Sequence, residues 1–334
     1  MKNISELRQD LVSGDWVVIA TGRSKRPNDF ISPKRARFVQ LKKTCPFEKR
    51  FSNARVIYVK DGKAEGSDWW VQTVPNRYPA LDTGVCAVFG KKGPYTVTNG
   101  AGAHEVVITA DHTRSFASMT DQEAELVVQM YQDRFRMLQD DSCAKYISLF
   151  HNHGKLAGAS ISHPHSQIIA IPVIPPDVAS SIEGSERYFA KEKKCVHCVM
   201  LQYDVKSRER LICESTYFIT VAPFASRTAF ELRIFPKSHH ARFEDIAPDE
   251  RADFARVLRI SLAKLYHGLK NPDYNFFLHT APVKNGRSFE HYHWHFEILP
   301  KTAIWAGFEI GTGIEISTIR PESAAAFLRK IKIA

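Results

Sequence analysis

The chain has 334 residues, 44% of them hydrophobic and 25% charged, with a net charge of +10. That composition excludes global disorder, and no apolar run reaches the roughly 18–20 residues of a membrane span. The start, "MKNISELRQD", lacks the apolar core of a secretory signal, so the chain is expected in the cytoplasm, with no membrane partner. The positive charge favours anionic partners, but it is scattered and forms only short clusters such as "KEKK" at 191–194. Phosphorylated metabolites therefore fit better than nucleic acid. Six cysteines (45, 86, 143, 195, 198 and 213) are expected to be reduced in such a setting, without a disulfide framework.

In chain order, strand character appears in "DWVVIA" (15–20), "EVVITA" (105–110), "YISLFHN" (146–152) and "SQIIAIP" (166–172). It appears again in "YFITVA" (217–222), "ELRIFP" (231–236), "YNFFLHT" (274–280) and "HWHFEILP" (293–300). Residues 120–141 read as a long helix, with Thr120 as N-cap and Glu123 closing a capping box. Residues 247–269 are its counterpart. The segments repeat: 44–51 against 194–201, 104–123 against 230–250, and 146–172 against 274–300. Each half carries a metal-like knuckle, a strand leading to a histidine, then a strand, a loop and an H-x-H strand. The predicted fold is α+β: two tandem units, 1–175 and 176–334, each an antiparallel sheet with one long packed helix. The prolines at 172, 175 and 176 are read as a linker, with the boundary in 173–190.

The repeat assigns metal ligands. The second half offers Cys195, Cys198, His239 and His293, two thiolates and two imidazoles suited to a closed tetrahedral zinc site. Register selects His239 over His240, because His112 and His239 both stand four residues before a phenylalanine. The bland alternative for "CVHC" is two buried thiols. The first half offers Cys45, His112 and His163, with Glu48 where a second cysteine is expected. Glu48 is either an oxygen ligand or a solvent-facing residue beside a decayed site. In a strand, His163 and His165 leave the same face about 6–7 Å apart. They could share one metal, or His163 could be a ligand while His165 stays free. The repeat favours the second arrangement.

These segments resemble the galactose-1-phosphate uridylyltransferase family of the histidine-triad superfamily. The resemblance spans nearly the whole chain: "DWVVIATGRSKRPNDF" (15–30), "CPF" (45–47), "PNRYPAL" (75–81), "NHGKLAGASISHPHSQ" (152–167) and "GFEIGTG" (307–313). Glu48 departs from the usual knuckle cysteine, and the second C-x2-C is closer to the ADP-glucose phosphorylase branch. The resemblance implies ping-pong nucleotidyl transfer between a nucleotide sugar and a hexose-1-phosphate or phosphate, of the UDP-glucose:galactose-1-phosphate type or as ADP-glucose phosphorolysis. His165 is the expected nucleophile, since neutral imidazole attacks phosphorus and leaves again readily. Gln167, on the same strand face, is expected to donate to a phosphoryl oxygen. The loop Asn152–Ser160, with Gly154 and Gly158, approaches phosphates through backbone N–H groups. Arg23 and Arg26 face phosphate charge, Asn76 reads base or ribose, and Glu309 lies in the segment expected at the sugar or its phosphate. Pro164 stiffens the link from His163 to His165. A homodimer is implied only by the resemblance. The rival class is a zinc-stabilised, non-catalytic nucleotide-binding protein, which would form no covalent intermediate.

Overall fold

The computed structural model describes residues 5–23, 40–59, 69–140, 143–283 and 288–333. Its first half contains β1 (Glu6–Gln9), β2 (Trp16–Ile19), β3 (Val56–Val59), β4 (Trp69–Pro75), β5 (Phe89–Lys92), β6 (Tyr95–Thr98) and β7 (Ala103–Thr109). Helix α1 (Asp121–Gln139) and strands β8 (Tyr146–His153) and β9 (His165–Ile171) follow. Then come α2 (Pro176–Glu192), α3 (Val196–Ser207), β10 (Leu211–Glu214), β11 (Phe218–Val221), β12 (Leu232–Pro236) and α4 (Pro248–Leu269). The chain ends with β13 (Tyr274–His279), β14 (His295–Pro300), α5 (Gly307–Thr312), β15 (Ile316–Ser317) and α6 (Pro321–Arg329).

Ten strands form one sheet in the order β10-β11-β12-β14-β13-β8-β9-β7-β4-β3. Read outward from the β13–β8 seam, the two wings match strand for strand, as the repeat requires. The seam is antiparallel and pairs Phe277 with Phe150. β1, β2 and β15 form a small separate sheet, and β5–β6 a hairpin.

Alternation assigns the sheet's two faces. Leu149, Ile168, Ala170, Val107, Phe276, Leu278, Phe296 and Ile298 lie on one face, in a single buried apolar cluster that also takes in α1 and α4. Both long helices begin as the sequence predicts. Thr120 accepts from Glu123 N–H, and the Glu123 carboxylate accepts from Thr120 N–H. Glu250 does the same for Ala247 N–H. The opposite face carries the polar members of the same strands: His165 and Gln167 of β9, Asn152 of β8, and Asn275 of β13.

Two expectations are corrected. The stretch read as a linker is the helix α2, because Pro176 sits in its first turn, where a missing N–H costs nothing. Cys86 and Cys143 are joined in a disulfide, their Cα atoms 5.1 Å apart. The fold brings the loop before β5 against the α1–β8 turn, a proximity that a rule based on cellular compartment does not anticipate. Among the described residues, no helix is long and apolar enough to cross a membrane.

Candidate functional site: two metal-ligand clusters and a free histidine

Cys195 is the N-cap of α3, and Cys198 lies in that helix's first turn. Local helix geometry thus aims both thiols at the end of β12 and the start of β14. One ligand atom from each of Cys195, Cys198, His239 and His293 lies within 4.8 Å of all the others. Cys198 Sγ is 3.4 Å from His239 Nδ1 and 3.5 Å from His293 Nδ1. A tetrahedral ion with ordinary zinc–sulfur and zinc–nitrogen distances places such atoms about 3.6 Å apart. The His293 ring is fixed from behind, its Nε2–H donating to Pro236 O at 3.1 Å. Such an outer contact holds a ligating imidazole in one tautomer.

The first half repeats the arrangement with a carboxylate. Cys45, Glu48, His112 and His163 converge within the same 4.8 Å limit. Cys45 Sγ is 3.5 Å from His163 Nδ1, and Glu48 Oε1 is 3.3 Å from that nitrogen and in close contact with His112 Nδ1. Glu48 therefore points inward, to the place where the repeat predicts a thiolate. His163 Nε2–H donates to Thr109 O (2.6 Å), and His112 Nε2–H to Gln40 O (2.7 Å). Both clusters fit a metal by donor type and spacing.

Beyond His163 the chain turns through Pro164 into β9. His165 Nδ1–H donates to His163 O at 2.8 Å, so the lone pair of the neutral ring is on Nε2. Among the described residues, that nitrogen has no hydrogen-bond partner. Burial lowers the pKa of His165 from its usual 6.5, keeping the ring neutral. Phe47, of the "CPF" knuckle, packs edge-on against it with ring centroids 5.1 Å apart.

The equivalent histidine in the second half is not free. His295 Nε2 lies 3.4 Å from Glu297 Oε1. Arg233 Nε is 3.0 Å from that oxygen, and Arg227 is in close contact with the other. A buried ion network stands where, among the described residues, no group bonds Nε2 of His165.

The remaining predicted residues divide. Asn152 and Gln167 join His165 on the face opposite the helices. Asn152 lies across from His165, one step past the last paired position, His151 with Ser166. Asn76 follows β4, and its Nδ2 is 3.0 Å from His104 Nε2. Gly154 and Gly158 both have positive φ, +82° and +88°, and Gly154 leaves room for the Asp273 carboxylate that accepts Leu156 N–H at 2.7 Å. Ser160 is exposed on the same loop. Glu309 accepts Ala306 N–H at 3.0 Å, capping α5, and among the described residues it makes no hydrogen bond to the β9 face. Arg23 ends a 3-10 turn, Thr21–Arg23. The Arg23 side chain and Arg26 lie outside the described residues. His104, Asn275 and Phe47 were not singled out by sequence. His104 immediately precedes the predicted strand "EVVITA" and Phe47 sits inside "CPF", but neither pattern signals a role.

A histidine with a fixed tautomer, two flanking carboxamides and a glycine loop thus come together, an arrangement that can serve transfer of a phosphoryl-type group. Residues 2–175 match the family described as galactose-1-phosphate uridyl transferase, N-terminal domain, and residues 94–330 match a domain of unknown function, DUF4921. The chain is 33% identical to ADP-glucose phosphorylase of Arabidopsis thaliana, over 98% of this chain and 93% of that protein. It is 30% identical to galactose-1-phosphate uridylyltransferase of Thermotoga maritima, over 98% and 99%. A crystal structure of the Arabidopsis thaliana ADP-glucose phosphorylase with bound ADP-glucose superposes with a TM-score of 0.79 at 31% identity, covering 99% of this chain and 100% of that one. This chain belongs to the galactose-1-phosphate uridylyltransferase family and is an enzyme of the nucleotidyltransferase class.

Proposed function

We propose that the chain exchanges a nucleotidyl group between a nucleotide sugar and a second phosphate by way of nucleotidyl-His165. The observation carrying this reading is the free Nε2 of His165, set as a lone pair by the Nδ1–H bond to His163 O. Nε2 attacks the α-phosphorus, the P–O bond to the sugar phosphate breaks, and hexose-1-phosphate leaves. The Nδ1–H bond to a carbonyl disperses the positive charge that grows on the ring. A second phosphate then attacks the same phosphorus and returns the lone pair to Nε2. Gln167 and Asn152 donate to the nonbridging oxygens. Arg23, Arg26, Gly158 and Ser160 are assigned to the substrate phosphates, Asn76 to the nucleoside and Glu309 to the sugar.

Zinc is the metal that best suits both clusters, given their sulfur, nitrogen and carboxylate donors, and it would supply rigid anchorage when bound. In the first cluster Cys45, Glu48, His112 and His163 would hold it. His163 would then be fixed through both ring nitrogens, and His165 through the His163 carbonyl. In the second, Cys195, Cys198, His239 and His293 would do so.

The primary donor–acceptor assignment is UDP-glucose with galactose-1-phosphate. ADP-glucose with inorganic phosphate is the second reading, favoured by similarity to the Arabidopsis enzyme across 98% of the chain. The test is intact-mass analysis of wild type and His165→Ala after mixing with either sugar nucleotide alone. A uridylyl adduct confined to wild type supports the first assignment, and an adenylyl adduct the second. A His165→Ala variant that keeps full turnover would remove the nucleophile.

A further inference from the structure

Two carboxamides flank His165, and each could present either its oxygen or its NH2 group to a ligand. Toward an anionic phosphoryl group the two choices have opposite effects. Backbone groups decide both cases. Ala80 N–H donates to His104 Nδ1 at 3.1 Å, so Nδ1 is the acceptor nitrogen and the neutral ring carries its proton on Nε2. That Nε2 lies 2.8 Å from Gln167 Oε1 and 3.0 Å from Asn76 Nδ2. Asn76 Oδ1 is engaged by Tyr78 N–H at 2.9 Å, so the Asn76 atom near the ring is its nitrogen, a donor that cannot bond to the protonated Nε2. Gln167 is the acceptor, with its oxygen turned toward His104.

On the other side, Asn275 Nδ2 reaches Ala157 O at 2.8 Å and Asn152 Oδ1 at 2.7 Å. A backbone carbonyl only accepts, so the Asn275 atom there is its NH2. The Asn152 atom facing the same NH2 is then its oxygen. Both amide oxygens are thus occupied, and the NH2 groups of Gln167 and Asn152 have no partner among the described residues.

We propose that His104 and Asn275 are positioning residues, holding Gln167 and Asn152 with their amide nitrogens outward as two oriented donors for the phosphoryl group that His165 attacks. The proposal rests on nucleotidyl-His165 as the intermediate. It gives the second half a part in the chemistry: Asn275 crosses the β8–β13 seam to set a donor in the first half. Fixed donors need no reorganisation as charge develops on the phosphoryl oxygens, whereas an unheld amide would turn and settle by solvation.

The variants are His104→Ala, His104→Gln and Asn275→Asp. The glutamine amide can replace the ring N–H. The aspartate has the size of asparagine but no donor, so Asn152 can meet it only by turning its own NH2 inward. Single-turnover formation of the nucleotidyl-enzyme is followed by rapid quench and intact mass with UDP-glucose and ADP-glucose, alongside donor affinity and thermal melting. His104→Ala and Asn275→Asp should each slow adduct formation about 100-fold, the usual cost of losing one oriented donor, with affinity changed less than about threefold. His104→Gln should recover most of the rate. Rates within about threefold of wild type, or a loss confined to affinity, would overturn the proposal. If His104→Ala unfolds, His104→Gln is compared with His104→Asn, whose shorter amide falls short of Gln167; equal rates would also overturn it. A wild-type enzyme that forms no adduct with either sugar nucleotide would instead overturn the intermediate itself.

Discussion

Glu297 occupies the place in β14 that Gln167 holds in β9, and Glu297→Gln tests whether that difference is structural. Its carboxylate is buried, touches Arg227 and Arg233, and lies within 3.4 Å of His295. Burial alone would raise its pKa, but the two guanidinium groups outweigh burial and hold it well below its usual value of 4.5. Glutamine has the same shape but no charge, and it leaves Arg227 and Arg233 to share Glu231 and Asp10. Breaking a buried pair in this way costs about 3–5 kcal/mol. At roughly 2.1 cal/mol/K per residue, the unfolding entropy of the chain is about 0.7 kcal/mol/K, so the melting midpoint should fall by about 4–7 °C. Calorimetry and urea unfolding at pH 7 measure both quantities. For a carboxylate depressed in the folded state, the stabilisation is complete above the unfolded value. It is lost as pH falls from there toward the folded one, by about 1.4 kcal/mol per unit. The gap between wild type and variant should therefore narrow below pH 4.5. A gap under about 1 kcal/mol at pH 7, or one that does not narrow in acid, would refute the reasoning.

Burial lowers the pKa of His165 from 6.5, so kcat/KM for the nucleotide sugar should stay flat down to that pH and fall only below it. An acid limb with its midpoint at or above 6.5 would contradict the assignment. Metal analysis should find two zinc ions per chain. Cys195→Ala should lose one with little change in adduct formation, while Glu48→Ala should deplete the other and slow it by at least about tenfold. Zinc content unaffected by Glu48→Ala would remove that carboxylate from the ligand set.

Periodicity made the sheet legible where alternation was clean. Strands β7 to β9 and β11 to β14, and helices α1 and α4, lie where their patterns indicated. Strand β4, "WWVQTVP", escaped because its residues are buried on both faces but for Pro75, so no alternation marks it. α2 was taken for a linker because its opening prolines are equally at home in turns. The repeat located all eight metal-ligand candidates, since each lies at a fixed offset from a strand or knuckle. His104 and Asn275 could not be found that way. Their partners are set by strand register, Val106 with Gln167 and Asn275 with Asn152, which no spacing along the chain encodes. The Cys86–Cys143 pair is likewise a tertiary contact, invisible to a count of cysteines.

The seam between β8 and β13 places a local twofold axis at the Phe150–Phe277 pair. Two identical units meeting edge to edge would be bound to duplicate every contact across that axis. Here one side carries Asn275 against Asn152, while the equivalent positions on the other are Ser148 and His279. Within one chain the two sides are free to differ. One edge carries the Asn275–Asn152 contact, and its counterpart lies beside the ion network of Arg227, Arg233 and Glu297. A single chain thus carries two different edges about one local axis, with His165 on one side and the ion network on the other.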